Sequence, residues 1–182
     1  YDTGYIQVAL TEGLKNDVVK IVTDVFQKGG IEILIGTKSL LGEGWDAPVL
    51  NSLVLASFVG SFVLSNQMRG RAIRVEKGNR EKASNIWHLV CVDPTASDGG
   101  NDVEMLKRRF RSFVGISYLE TGGIENGISR LGLPADFSDA EAIDAANDRA
   151  FLRASQREKL KDQWERALGN GVSLVEEIKI PR

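Results

Sequence analysis

The chain has 182 residues, 42% of them hydrophobic and 26% charged, with Lys+Arg 23 against Asp+Glu 25 for a net charge of −2, so a nucleic-acid site must be a local basic patch. A single cysteine, Cys91, and a single histidine, His88, exclude an internal disulfide framework and cysteine- or histidine-cluster metal sites. No apolar run reaches the ~20 residues of a membrane span, no signal peptide opens the chain, and no initiator Met is present; the expectation is a fragment of a longer cytoplasmic protein.

In chain order, residues 5–11 read as a short strand. Asn16 is a candidate cap for a helix with the apolar stripe Val18, Val22, Val25 and Phe26, closed by Gly29 and Gly30. Residues 31–35 are nearly all apolar, which predicts a strand covered on both faces. A polar, Gly-rich stretch follows over 36–48. Residues 52–58 predict a second buried strand, 65–75 a helix, and 85–92 a third buried strand. Such alternation implies right-handed crossovers and a mainly parallel sheet. Composition shifts after Pro94. Residues 95–101 form a polar linker, and Asn101 with Glu104 suits a capping box for a helix running to about Ser117. Residues 121–127 are loop-like. Ser138 with Glu141 is a second capping box, opening a long helical stretch through Phe151, Leu160, Trp164 and Leu168 that Gly169 and Gly171 close. A short strand is expected within 172–180. The expected architecture is an α/β unit over residues 1–95 and a mostly helical extension over 96–182 that packs on it.

The chemistry concentrates between Ile35 and Arg74. On a helix, Gln67, Arg71 and Arg74 fall at i, i+4 and i+7, which places an amide and two guanidiniums on one face. Guanidinium forks suit phosphate oxygens, and Gly70 beside Arg71 permits close approach of another backbone or a ligand. Arg69 lies off that stripe and is the expected bystander. A solvated basic helix is the plain alternative for this block. The preceding block, Gly36-Thr37-Lys38-Ser39-Leu40-Leu41-Gly42-Glu43-Gly44-Trp45-Asp46-Ala47-Pro48, follows a predicted strand, where open α/β sheets place their ligands. Thr37 offers a hydroxyl to a phosphate. Asp46 offers an acceptor to a ribose hydroxyl or a partner to an arginine. A plain glycine-rich connector is the competing reading.

Together the two blocks resemble motifs V and VI of superfamily 2 helicases and translocases: Thr37…Gly44-Trp45-Asp46-Ala47-Pro48, then Gln67-Met68-Arg69-Gly70-Arg71-Ala72-Ile73-Arg74. The resemblance covers about residues 5–93. It implies a RecA-like second motor domain that closes with a first RecA-like domain on ATP and Mg²⁺. It places arginine fingers at Arg71 and Arg74, and gives Gln67 a part in linking them to the attacking water or the opposite domain. Gly44 and Asp46 join the nucleotide side. Gly36, Thr37 and Lys38 join the nucleic-acid backbone contact. Gln67, where RNA helicases of the DEAD-box type carry His, and Glu43-Gly44-Trp45-Asp46, where they read Arg-Gly-x-Asp, favour DNA over RNA. Residues 36–39 are not a P-loop, because no Gly directly precedes Lys38, and no acidic Mg²⁺ box follows. The first RecA-like domain is therefore expected elsewhere, and this chain alone is expected to be inactive. The rival classes are a restriction or defence translocase subunit that moves on duplex DNA without unwinding it, and a non-catalytic interaction module of the same fold.

Other residues carry less. His88, inside a predicted strand, reads as a core or sheet-face histidine, and Cys91 as a small buried hydrophobe. Lys107, Arg108, Arg109 and Arg111 form a basic cluster that is either a solvated face or a phosphate-tracking patch. Trp164 reads as packing. Trp45 is either a packing anchor or a contact at a domain interface.

Overall fold

Helix α1 (Val18–Gln27) shows the expected stripe: Val18, Val22 and Phe26 are half-buried, Thr23 is buried, and Val25 is 39% exposed. The Thr23 hydroxyl donates to the Val19 carbonyl at 2.6 Å, which satisfies it inside the helix. Gly29 then takes φ +77°, and the Gly29 and Gly30 amides donate back to the carbonyls of Phe26 and Val25 at 3.0 and 2.9 Å. That left-handed closure needs a residue without Cβ. The computed structural model describes residues 4, 7–9, 11–14, 17–37, 41, 45–56, 62–120 and 122–174. The proposed cap Asn16 lies outside these residues, as do residues 5, 6 and 10 of the first predicted strand; residues 7–9 and 11 form no strand.

Strand β1 (Ser52–Leu55), helix α2 (Phe62–Ala72) and strand β2 (Asn85–His88) follow as a β-α-β unit. The strands are parallel and in register from Ser52 opposite Asn85 to Leu55 opposite His88. The intervening helix gives the chain the length a parallel return requires. Residues 31–35, expected as a covered strand, are not in any ladder, and Ile33 and Ile35 are 76% and 91% exposed. The physical reason is the neighbour: among the described residues this sheet is β1 and β2 alone. An apolar run becomes a strand only where another backbone accepts its hydrogen bonds. The same shortage corrects the expectation of buried strands. β2 is half-buried throughout, and Val54 and Leu89 are each 54% exposed.

The second half continues with α3 (Asn101–Phe110), β3 (Gly115–Ile116), β4 (Ile124–Glu125), α4 (Ala140–Ser155), α5 (Leu160–Asn170) and β5 (Val172–Ser173). The last three strands form a sheet in the order β3-β4-β5, with β3 antiparallel and β5 parallel to β4. Both capping boxes shift. Gly100, at φ +82°, occupies the cap of α3; Asn101 instead donates to Met105 Sδ, and Glu104 pairs with Lys107 at 2.8 Å. A Cβ on Gly100 would come within 2.9 Å of Asp93 Cβ, so glycine fits here where a larger residue would not. At α4 the cap is Asp139, which accepts from the Ala142 amide at 3.0 Å, while the Ser138 hydroxyl turns back to Asp136 at 2.7 Å. The predicted long helix is two helices, broken around Gln156 by a 3₁₀ turn over Arg157–Lys159.

Most of the buried apolar side chains among the described residues lie in this second half. Leu106, Phe110, Phe113 and Ile128 form one cluster; Ile116, Ile124 and Ala167 form another. The β1–β2 unit leans on them. The His88 ring meets Phe110 edge-on at 5.4 Å, Trp87 lies 5.0 Å from Phe151, and the Asn85 side-chain amide donates to the Ala154 carbonyl at 3.1 Å. The chain is thus a mixed α/β fold with a small parallel sheet. Among the described residues, no helix is long and apolar enough to cross a membrane.

Candidate functional site

The two sequence blocks meet at the C-terminal end of α2. Arg71, in the last turn, is only 8% exposed, and its Nη1 donates to the Leu41 carbonyl. Burial lowers its proton affinity, Arg74 lowers it further, and Asp46 opposes both; an arginine remains a cation at neutral pH under these influences. Arg74 lies past the helix end at Ala72, and its Nη1 sits 2.6 Å from Asp46 Oδ1. Both side chains of that pair are about half exposed, at 49% and 50%. Asp46 therefore fills the arginine-partner role that the sequence offered as one of two. The single helical face expected for Gln67, Arg71 and Arg74 is not formed. Gln67 is exposed, Arg71 turns inward, and Arg74 stands on the segment after the helix. At Gly70 a Cβ would meet nothing within 4 Å among the described residues.

The loop that carries Asp46 is fixed from two sides. From α1, the Gln27 side-chain amide donates to the Asp46 carbonyl at 3.0 Å, and Trp45 Nε1 donates to Thr23 Oγ1 at 2.8 Å. Trp45 is thereby tied to α1. Its neighbour Ala47 is fully buried. From the other side, Lys82 Nζ donates to three carbonyls: Pro48 at 2.5 Å, Arg74 at 2.6 Å and Ala72 at 3.2 Å. Ser84 Oγ also donates to the Ala72 carbonyl, at 2.6 Å. A helix C-terminus leaves its last carbonyls without intrahelical partners, and an ammonium with three donors suits them. Burial lowers the Lys82 pKa, and Glu76 partly opposes that. Thr23, Gln27, Lys82 and Ser84 belong to no sequence motif recognised above. A polar residue within the apolar stripe of α1 was the one available signal, at Thr23.

Gly36 and Thr37 are exposed, and the Thr37 carbonyl accepts from the Leu41 amide at 3.0 Å. Lys38 and Gly44 lie outside the described residues. Arg69 is no bystander. Its guanidinium carbon lies 3.6 Å above the Phe113 ring, and burial followed by repulsion from Arg130 lowers its proton affinity. Its buried Nε has no hydrogen-bond partner among the described residues. His88 packs against the same aromatic pair, Phe110 and Phe113, in keeping with a core histidine. Burial, then Arg69 and Arg109, push its pKa down from 6.5 to about 4. Cys91 is exposed, which corrects the reading of a buried hydrophobe: β2 ends at His88 and the chain leaves the sheet before reaching it. In the basic cluster, Lys107 is engaged by Glu104 and by the Asp98 carbonyl at 3.3 Å, whereas Arg108 is exposed. Trp164 is 38% exposed.

A shallow cleft of about 350 Å³ lies between β4, β5 and the end of α5, lined in part by Glu125, Asn170 and Ser173. None of the predicted site residues lines it. Among the described residues, no group of three or more His, Cys, Asp or Glu side chains could hold a metal ion. No protein-family model, no curated protein and no solved structure matches the chain.

Proposed function

We propose that the chain is the second, RecA-like motor domain of an ATP-dependent nucleic-acid helicase. The observation that carries this reading is the junction of the two blocks, with Arg71 on the Leu41 carbonyl and Arg74 on Asp46 across the end of β1–α2. Motif-like residues far apart in sequence converge there as a coupled phosphate-sensing and strand-sensing element would require. Arg74 is the finger in this reading. An ion pair this exposed is worth ~0–1 kcal/mol, so an incoming phosphate displaces Asp46 at little cost. Arg71, buried and committed to the loop, fixes the loop's position. Gln67, exposed on α2, faces the opposite domain or the water that attacks.

ATP fits this half in part. Arg74 offers a half-exposed guanidinium, but the described residues hold no acidic cluster for Mg²⁺. The phosphate cradle and the Mg²⁺ ligands are assigned to a first RecA-like domain. Bound ATP with Mg²⁺ supplies the transferable phosphoryl group. The exposed Thr37, with Gly36 and Lys38, is the proposed contact to a nucleic-acid phosphate, with DNA favoured over RNA on the motif spelling.

The test is turnover in the full-length protein. Arg74→Ala should lower kcat by ~10³, the lower end of the range for arginine fingers, and change ATP binding less, because the finger acts on charge that grows in the transition state. Wild-type kcat in Arg74→Ala refutes the assignment.

A further inference from the structure

The Lys82 ammonium bonds backbone carbonyls on both sides of the junction. Pro48 ends the loop that carries Asp46; Ala72 ends α2; Arg74 is the proposed finger itself. We propose that Lys82 is a positioning residue that sets Arg74 against Asp46. It does so by clamping the Arg74 backbone carbonyl and the Pro48 carbonyl onto one cation. The chemistry is specific to an ammonium. Three N–H donors diverge from one small centre, and the three carbonyls converge on it at 2.5 to 3.2 Å. A planar guanidinium directs its donors outward in a fork and cannot converge them on the same point. Glu76, the charged group that most affects Lys82, lies on the turn closed by the Glu76–Asn79 bridge, and its carboxylate accepts from the Asn79 side chain at 2.8 Å.

Ser84 separates positioning from plain helix capping. It donates to the Ala72 carbonyl that Lys82 also holds, and no hydrogen bond joins its hydroxyl to Pro48 or Arg74. If Lys82 merely capped α2, Ser84→Ala and Lys82→Met would act alike. If it positions Arg74, only Lys82→Met disturbs the Arg74–Asp46 pair.

The clamp stands on this geometry, and its consequence for turnover rests on the motor reading above. The experiment therefore has two arms. In the chain itself, solvent exchange of the Arg74 Nη–H protons and the Asp46 carboxyl ¹³C shift are followed by NMR. Lys82→Met should speed that exchange about two- to fivefold, the scale of an exposed ion pair, and shift the Asp46 signal. Ser84→Ala should leave both at wild-type values, and Lys82→Arg should recover the pair only in part. Wild-type exchange in a folded Lys82→Met overturns the inference, as does an equal change in Ser84→Ala. Should Lys82→Met not fold, the wild-type Lys82 Nζ signal decides: slow exchange supports the clamp, and exchange like that of the exposed lysines overturns it. In the full-length protein, Lys82→Met should lower kcat with little change in KM for ATP, and unchanged kcat overturns the catalytic consequence. Absence of any ATPase in the wild-type full-length protein would refute the motor reading while the first arm still decides the clamp.

Discussion

His88 is the only histidine of the chain, so its titration can be read without assignment. Its ring lies 5.4 Å from Phe110 and 6.1 Å from Phe113, and Arg69 and Arg109 add positive charge nearby. Burial first, and then those two cations, hold its pKa at about 4 instead of 6.5. The folded chain therefore binds fewer protons at this site than the unfolded chain between those two values. Stability is complete above pH 6.5, falls as the pH drops through the window, and levels off below pH 4. The full difference is worth about 3 kcal/mol, and about 2 kcal/mol of it is already lost at pH 5. Carboxylates titrate in the same region, so the measured quantity is the difference from His88→Phe, which keeps an aromatic ring against Phe110. Urea unfolding of both proteins from pH 7.5 to 4.5 should show the wild type losing about 2 kcal/mol more than the variant by pH 5. Parallel pH dependences, or an imidazole Cε1–H resonance that titrates near 6.5, would refute the argument.

Arg69→Ala should raise the His88 pKa toward 6.5, because it removes one of the two cations that depress it; the same imidazole titration checks this. It should also cost about 1 kcal/mol, from loss of the guanidinium packed on Phe113, with urea unfolding as the measurement. At the start of α4, Asp139→Ala should cost about 1 kcal/mol, the usual worth of an N-cap, and Ser138→Ala clearly less. Equal losses from the two would return the cap to Ser138.

The order α1, β1, α2, β2 was legible because it depends on local pattern, whereas the strand expected over residues 31–35 did not form and β3 and β4 were not foreseen. The stripe Val18, Val22 and Phe26 has helical spacing, and Gly29 is a residue that can close such a helix. The parallel pairing of β1 and β2 followed from the helix between them. The juncture of the motif-like blocks was legible in part. Asp46 was a candidate arginine partner, but the i, i+4, i+7 spacing assumed that α2 continues to Arg74. It stops at Ala72, where carbonyl groups are taken up by Lys82 and Ser84. Such capping from residues ten and twelve positions downstream leaves no periodic trace.

What the sequence determined by itself were properties set within a few residues: which segments can be helices and where glycine can close them. Burial was decided only in the tertiary structure, because it depends on what lies across from a segment. Residues 31–35 are as apolar as a covered strand, yet Ile35 is 91% exposed for want of a neighbouring strand among the described residues. Arg71, charged and expected at the surface, is 8% exposed because the Leu41 carbonyl receives its guanidinium. A side chain's own chemistry fixes the cost of burying it, and only the packed neighbours supply the backbone, ring or carbonyl that offsets that cost.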